Sequence, residues 1–360
     1  MFNSKHYTPI MKWKRAEQGA LKSLTEDYKK YITPLVQFVM PKPEDNDQFE
    51  DIVERFRNRL LEIPNKLIEI WGTLPVFVDV SLLFTTPLKA ESLRFITQKG
   101  NDLGGTFIPV IYLYDDKDIK KEAFLSAQKN KTGLCLRLIY SDFSDQDKLN
   151  QDISDLVLLS KLKEKDIDLL VDIKETGENG DKYAKYVNLS QNICNLKDWR
   201  TFTFASGSFP EDLTECRIDI DNLIPRIDWM CWKKNYSSKL KRMPSFSDYT
   251  IQHPIYKEAV QFFHPTSSIK YTLENDWFIM KGRKQKFGDY LASAADLIKS
   301  ERFYGESFSD GDRYISDKAK HFLAYIKNPK IKGTGSTETW LKASINHHLT
   351  LVANQIANLP

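Results

Sequence analysis

A chain of 360 residues is long for a single core, although an α/β barrel with insertions reaches this size as one domain. Hydrophobic content of 41% with 12% aromatics is ample for a packed globular interior. A formal net charge of +3 marks no strongly basic or acidic domain, so the totals argue against non-specific nucleic-acid binding. Lys5, His6 and Lys12 interrupt the start of the chain, which has no signal-peptide-like apolar run, and no later stretch approaches the length of a membrane span. Cys135, Cys194, Cys216 and Cys231 show no CxxC spacing and read as reduced thiols of a cytoplasmic protein, not as a disulfide frame or zinc site.

Residues 7–21 (YTPIMKWKRAEQGAL) open with a strand pattern. Period two puts Pro9, Met11 and Trp13 on one face and Thr8, Ile10, Lys12 and Lys14 on the other. Two ammonium groups at a strand exit are a poor structural choice unless they meet something. Glu17 follows at the start of a helix, where a carboxylate complements the positive end of the dipole. Residues 32–40 (ITPLVQFVM) predict a second strand. Over 48–70, Phe49, Ile52, Val53, Phe56, Leu60 and Ile63 fall at helical spacing, with Pro64 as the break. Residues 74–83 alternate again, with Val76, Val78 and Val80 on one face and Phe77, Asp79 and Ser81 on the other.

Further strands are predicted over 106–114, 133–140, 166–174, 199–205 and 245–251, with helical or polar segments over 88–100, 118–131, 145–165 and 182–196. Strands separated by crossover helices pair in parallel, and eight of them close a barrel. The expected fold class is α/β, a (β/α)8 TIM-barrel-like architecture with a C-terminal hairpin and helical extension; a doubly wound open sheet is the alternative. Residues 1–265 would form the barrel. Residues 266–360 would form a hairpin and helices packed on it within the same domain. In the interval 207–244, IPRIDWMCWKKN reads as a helix or an extra strand. Beyond it, residues 268–283 predict two strands turning at Glu274, Asn275 and Asp276, and helices are expected over 287–300, 316–326 and 337–358.

Four separated motifs, MKWKRAEQGAL, SFSDYTIQHP, IKYTLENDWFIMKGR and TWLKASINHHLT, together resemble the "beta protein" family of bacteria and their phages, from near Tyr7 to the C-terminus. Ala16 stands where that family's KWKxGE opening usually has Gly, which bears on the tightness of one turn. The resemblance implies an α/β barrel-like fold and a setting among phages and mobile elements, and it carries no activity. It marks Lys12, Lys14, Glu17, Asp248, Tyr249, His253, Trp340, Asn346, His347 and His348 as motif positions.

The strand pattern aims Lys12, Lys14, Gln37, Asp79, Tyr112, Arg137, Asp172, Thr203 and Asp248 into the barrel near the strand exits, where α/β barrels carry their sites. The cations suit an anion, Arg137 through two parallel bonds and the lysines as point charges. A carboxylate beside a lysine stays ionised and suits a base, whereas one beside a like charge is pushed toward the acid form. Asp79, Asp172, Asp248 and Glu17 are therefore the predicted catalytic set. Lys12, Lys14, Tyr112, Arg137, Thr203, Tyr249, Arg283, Asn346 and His347 are the predicted ligand-binding set. Mg²⁺ would suit three aspartates, but two lysines at the same end compete for those oxygens, so no metal or cofactor is assigned.

The expectation is a barrel protein that binds an anionic, phosphorylated or nucleotide-like small molecule and hydrolyses it by carboxylate acid-base chemistry, in a phage-defence or phage-related setting. The alternative is a non-catalytic sensor or protein-partner component of such a system. Neither nucleic acid nor a membrane is an expected partner. A buried ion-pair lattice that only fills space is the bland counterpart of the ring. The basic run Lys281, Arg283, Lys284 and Lys286 reads as a phosphate clamp or nucleic-acid patch beside the hairpin, with a solvated turn as its bland and favoured counterpart.

Overall fold

The computed structural model describes residues 3–257 and 266–359. Eight strands lie side by side, all parallel and in chain order: β1 Ile10–Lys12, β2 Leu35–Gln37, β3 Pro75–Asp79, β4 Thr106–Tyr112, β5 Leu134–Ile139, β6 Ile167–Glu175, β7 Thr201–Gly207 and, after an excursion through β8 Asn222–Pro225, β9 Ser245–Ser247. Tyr7 bridges Phe246, and the Thr8 and Ile10 N–H groups donate to the carbonyls of Phe246 and Asp248 at 2.9 and 2.8 Å. The last strand thus pairs with the first. The sheet is a closed barrel, which removes the open-sheet alternative.

Alternation along each strand sorts the side chains into two environments. Outward-facing Met11, Val36, Val76, Val78, Val80 and Phe246 join the large core beneath the surrounding helices. Inward-facing Ile10, Leu35, Phe77, Val110, Cys135 and Leu170 belong to a separate apolar plug that fills the barrel. The predicted helix over 48–70 is two helices, Phe49–Leu60 and Ile63–Trp71. Its break falls before Pro64, which sits in the first turn of the second helix, where a missing N–H is harmless.

The ambiguous interval contains both predicted elements. β8 is followed directly by helix Ile227–Lys234. β8 is the third strand of an antiparallel sheet whose other strands are the predicted hairpin, β10 Ile269–Thr272 and β11 Asp276–Met280. The C-terminal helix Thr337–Ala357 buries Ile345, Leu349, Val352 and Ile356 in the same core as the barrel's outer face. The predicted boundary at 265/266 abuts residues 258–265, which lie outside the described residues. Among the described residues no helix is long and apolar enough to cross a membrane.

Candidate functional site

Period two carries the inner face of each strand from the apolar plug up to a polar rim. Register places Asp79 beside Gln37, Tyr112 beside Arg137, and Asp172 beside Ala205. Arg137 is fully buried and knits this rim together. Its Nη1 donates to Asp79 Oδ2, its Nη2 to Asp172 Oδ2 at 2.7 Å, and its Nε to the same oxygen at 3.2 Å. Nη2 also meets the Tyr249 hydroxyl at 3.0 Å, and that hydroxyl donates to Asp172 at 2.7 Å. Tyr112 and Gln37 donate to Asp79 Oδ2 at 3.3 and 3.2 Å.

Burial alone would raise the Asp172 pKa. The charges of Lys174 and Arg137, with the hydrogen bonds from Tyr249 and the Lys174 N–H, outweigh burial and hold the carboxyl below its ordinary range. Arg137 was predicted to grip a ligand through two parallel bonds; its donors are instead spent on two aspartates and a phenol. In this part of the rim Asp79 and Asp172 are the anions of a buried ion-pair lattice centred on Arg137.

Lys174 was not singled out from sequence. A register shift between Asp172 and Glu175 bulges β6 at its exit, and Lys174 sits there with φ of 62°, its N–H bonded to Asp172 Oδ1 at 2.9 Å. The bulge brings its Nζ to 3.0 Å from both Asp172 Oδ2 and the Tyr249 hydroxyl. Its position two residues after Asp172 was the available signal.

The β1 side of the rim is different. Lys12 is 3% exposed, yet among the described residues its Nζ has no hydrogen bond or ion pair. It lies against the rings of Tyr249 and Tyr256, 5.4 and 6.0 Å from their centroids. Burial first, then the nearby charges of Lys174, Lys14 and Arg137, bring its pKa down to about 8, against the opposing pull of Glu17. Glu17 is buried as well. Its Oε1 accepts from Gln252 at 2.8 Å, its Oε2 has no partner among the described residues, and burial raises its pKa. Lys14 donates to the Tyr256 hydroxyl at 3.2 Å, and Lys270 of β10, brought down to about 8 by burial, completes the surroundings of Glu17. A cleft of about 980 Å³ opens here between Lys14, Glu17, Phe38, Arg59, Tyr256 and Lys270.

Five predicted site residues stand elsewhere or serve another purpose. Ser245 and Ser247 face inward, bonded to Thr203 and to the Thr8 carbonyl, so Asp248 turns outward. There it accepts from the Tyr7 hydroxyl and the Thr250 N–H and pairs with His348 Nε2 at 2.9 Å. Thr203 does face the interior, but its register partner is Leu170, a layer below Asp172. His347 is fixed between Asp312 and the Thr272 carbonyl, both at 2.8 Å. Asn346 donates to the Ala20 carbonyl and accepts from the Gly311 N–H. Arg283 forms a two-bond pair with Asp289 at the surface, and Lys281 donates to the carbonyls of Leu213 and Cys216. The predicted aspartate triad is thus not assembled, and among the described residues no group of three or more His, Cys, Asp or Glu is gathered to hold a metal ion.

The sequence profile of the family described as Beta protein matches residues 7–354. The chain belongs to the Beta protein family. Among solved structures it is similar to a mutant tryptophan synthase alpha-subunit from the hyperthermophile Pyrococcus furiosus, at 11% identity and a TM-score of 0.40, over 69% of this chain and 88% of that one. The tryptophan synthase a2b2 complex from the same organism aligns at 9% identity and a TM-score of 0.38, over 70% of this chain and 90% of that one. A search of curated proteins finds no match. In this Beta protein the motif positions fall into two groups. Lys12, Lys14, Glu17, Tyr249 and His253 lie at or beside the strand exits, whereas Asp248, Trp340, Asn346, His347 and His348 anchor the C-terminal helix.

Proposed function

We propose that this protein binds a small anionic molecule, bearing a phosphate or carboxylate, over the exits of β1 and its neighbours. The observation that carries the reading is Lys12, buried among Lys14, Lys174 and Arg137, with the charge of Glu17 opposing theirs but no hydrogen bond or ion pair to its Nζ among the described residues. Burying a charge among like charges is costly, and an incoming anion offsets part of that cost. Lys14 and Lys174 flank the position, and the adjoining cleft supplies room. Acid-base work at this site falls to Glu17, whose pKa burial raises, because Asp79 and Asp172 are bonded to Arg137.

Thermal unfolding with inorganic phosphate, AMP, phosphoenolpyruvate and uncharged adenosine tests this. An anion at a hundred times its Kd stabilises the fold by about 2.7 kcal/mol, and Lys12→Met should abolish the shift. Equal shifts in wild type and Lys12→Met, or none with any anion, would overturn the reading.

A further inference from the structure

The cleft beside the β1 exit is far larger than a lone phosphate or carboxylate needs. Its volume of about 980 Å³ is that of a site for a whole small molecule. Residues 13–18 and 38–42, the segments that leave β1 and β2, form much of its wall, so it opens on the end of the barrel where such folds keep their sites. Part of that wall is apolar. Trp13 is only half-buried, and its ring is backed by Phe38 at 6.1 Å between centroids. A large ring left partly in water beside an open cleft is a platform on which a flat ligand can stack.

The charged part of the wall is uneven. Arg15 and Lys66 are paired with Glu338 and Glu62 at 3.8 and 2.8 Å, whereas Lys14, Arg59 and Lys270 form no ion pair among the described residues. Glu17 lines the same cleft. Gln252 donates to its Oε1 at 2.8 Å, and its Oε2 is buried with no partner among the described residues. A buried acceptor without a donor is costly to leave unmet, and a hydroxyl brought in by a ligand would satisfy it. A bare sugar phosphate would leave the Trp13 platform unused, and an alkyl phosphate would leave Glu17 unmet.

We infer that the cleft takes a nucleoside monophosphate, with its base on Trp13, a ribose hydroxyl on Glu17 Oε2 and its phosphate at Lys14 and Lys270. The inference rests on the anion-binding reading and adds what the anion is attached to. The Tyr256 ring joins the two places, since its centroid lies 4.7 Å from Lys14 Nζ and 6.0 Å from Lys12 Nζ.

Isothermal titration calorimetry of the whole protein tests it, comparing AMP, GMP, CMP and UMP with ribose 5-phosphate, octyl phosphate and inorganic phosphate. At least one nucleotide should bind roughly 10–100-fold more tightly than ribose 5-phosphate, the margin that stacking on an aromatic ring supplies. Its 2′,3′-dideoxy form should bind about 10-fold more weakly, having lost the hydroxyls that Glu17 accepts from. Trp13→Leu should remove most of the first margin and Glu17→Ala the second. Both margins are read on the wild type, so a variant that fails to fold does not spare the inference. Ribose 5-phosphate binding as tightly as every nucleotide, or octyl phosphate matching the best of them, would overturn it and leave anion binding standing. If no phosphate compound binds, both readings fall.

Discussion

Arg137 and Lys12 are buried cations at the same end of one barrel, yet Arg137 is hydrogen-bonded to two carboxylates and a phenol while Lys12 meets ring faces, other cations and the charge of Glu17 without a hydrogen bond to its Nζ among the described residues. The first cation is paired directly with carboxylates and the second is not. Burial and charge alone do not mark a working group, because both residues have them. What separates them is whether the neighbours satisfy the charge.

The widest separation should appear in stability. Arg137→Met removes the cation bonded to both Asp79 and Asp172, leaving Asp172 its contacts with Lys174 and Tyr249, and should cost roughly 3–5 kcal/mol in urea unfolding. An unchanged midpoint would mean that the lattice does not hold the barrel mouth. Lys12→Met should act in the opposite direction. Lowering a lysine from 10.5 to about 8 corresponds to about 3 kcal/mol, so the variant should be more stable than wild type by that order at pH 7.

The same difference should depend on pH, with a sign fixed by linkage. Between about pH 8 and 10.5 the unfolded chain keeps the Lys12 proton and the folded chain does not, so wild-type stability rises across this window. Lys270 titrates in the same range, so the quantity to follow is wild type minus Lys12→Met, whose gap should close as pH rises. A gap that stays constant from pH 7 to 10 would show that Lys12 is solvated. The smallest of these effects is expected at Asp248, where replacement by Ala should cost roughly 2 kcal/mol through the lost bonds to Tyr7, His348 and the Thr250 N–H while leaving phosphate binding intact. Loss of phosphate binding there would return Asp248 to the site.

Alternation alone brought Lys12, Asp79, Tyr112, Arg137 and Asp172 together, because strands of a closed parallel barrel project every second side chain inward over a rigid register. Asp248 failed for a reason of phase. Both faces of such strands are apolar or small, so SFSD offers no contrast, and a slip of one residue exchanges inside for outside. Thr203 had the right face at the wrong depth, which depends on stagger between strands. Lys174 hid behind a bulge. Asn346 and His347 are shared family motif positions, and the structure shows them fastening the terminal helix to the hairpin region, the helix at Ala20 and the segment that follows. Nothing in their residue types distinguishes that from ligand contact.

The seam between Tyr7 and Phe246 has a further bearing on how the molecule is made. During synthesis β1 leaves the ribosome long before its second neighbour exists, and its outer hydrogen-bonding edge stays open until Phe246 emerges. A nascent chain stalled upstream of that point carries an unsealed parallel sheet, the kind of surface that other strands add to. Chaperone dependence should therefore drop sharply once β9 has cleared the exit tunnel, well before the terminal helix arrives.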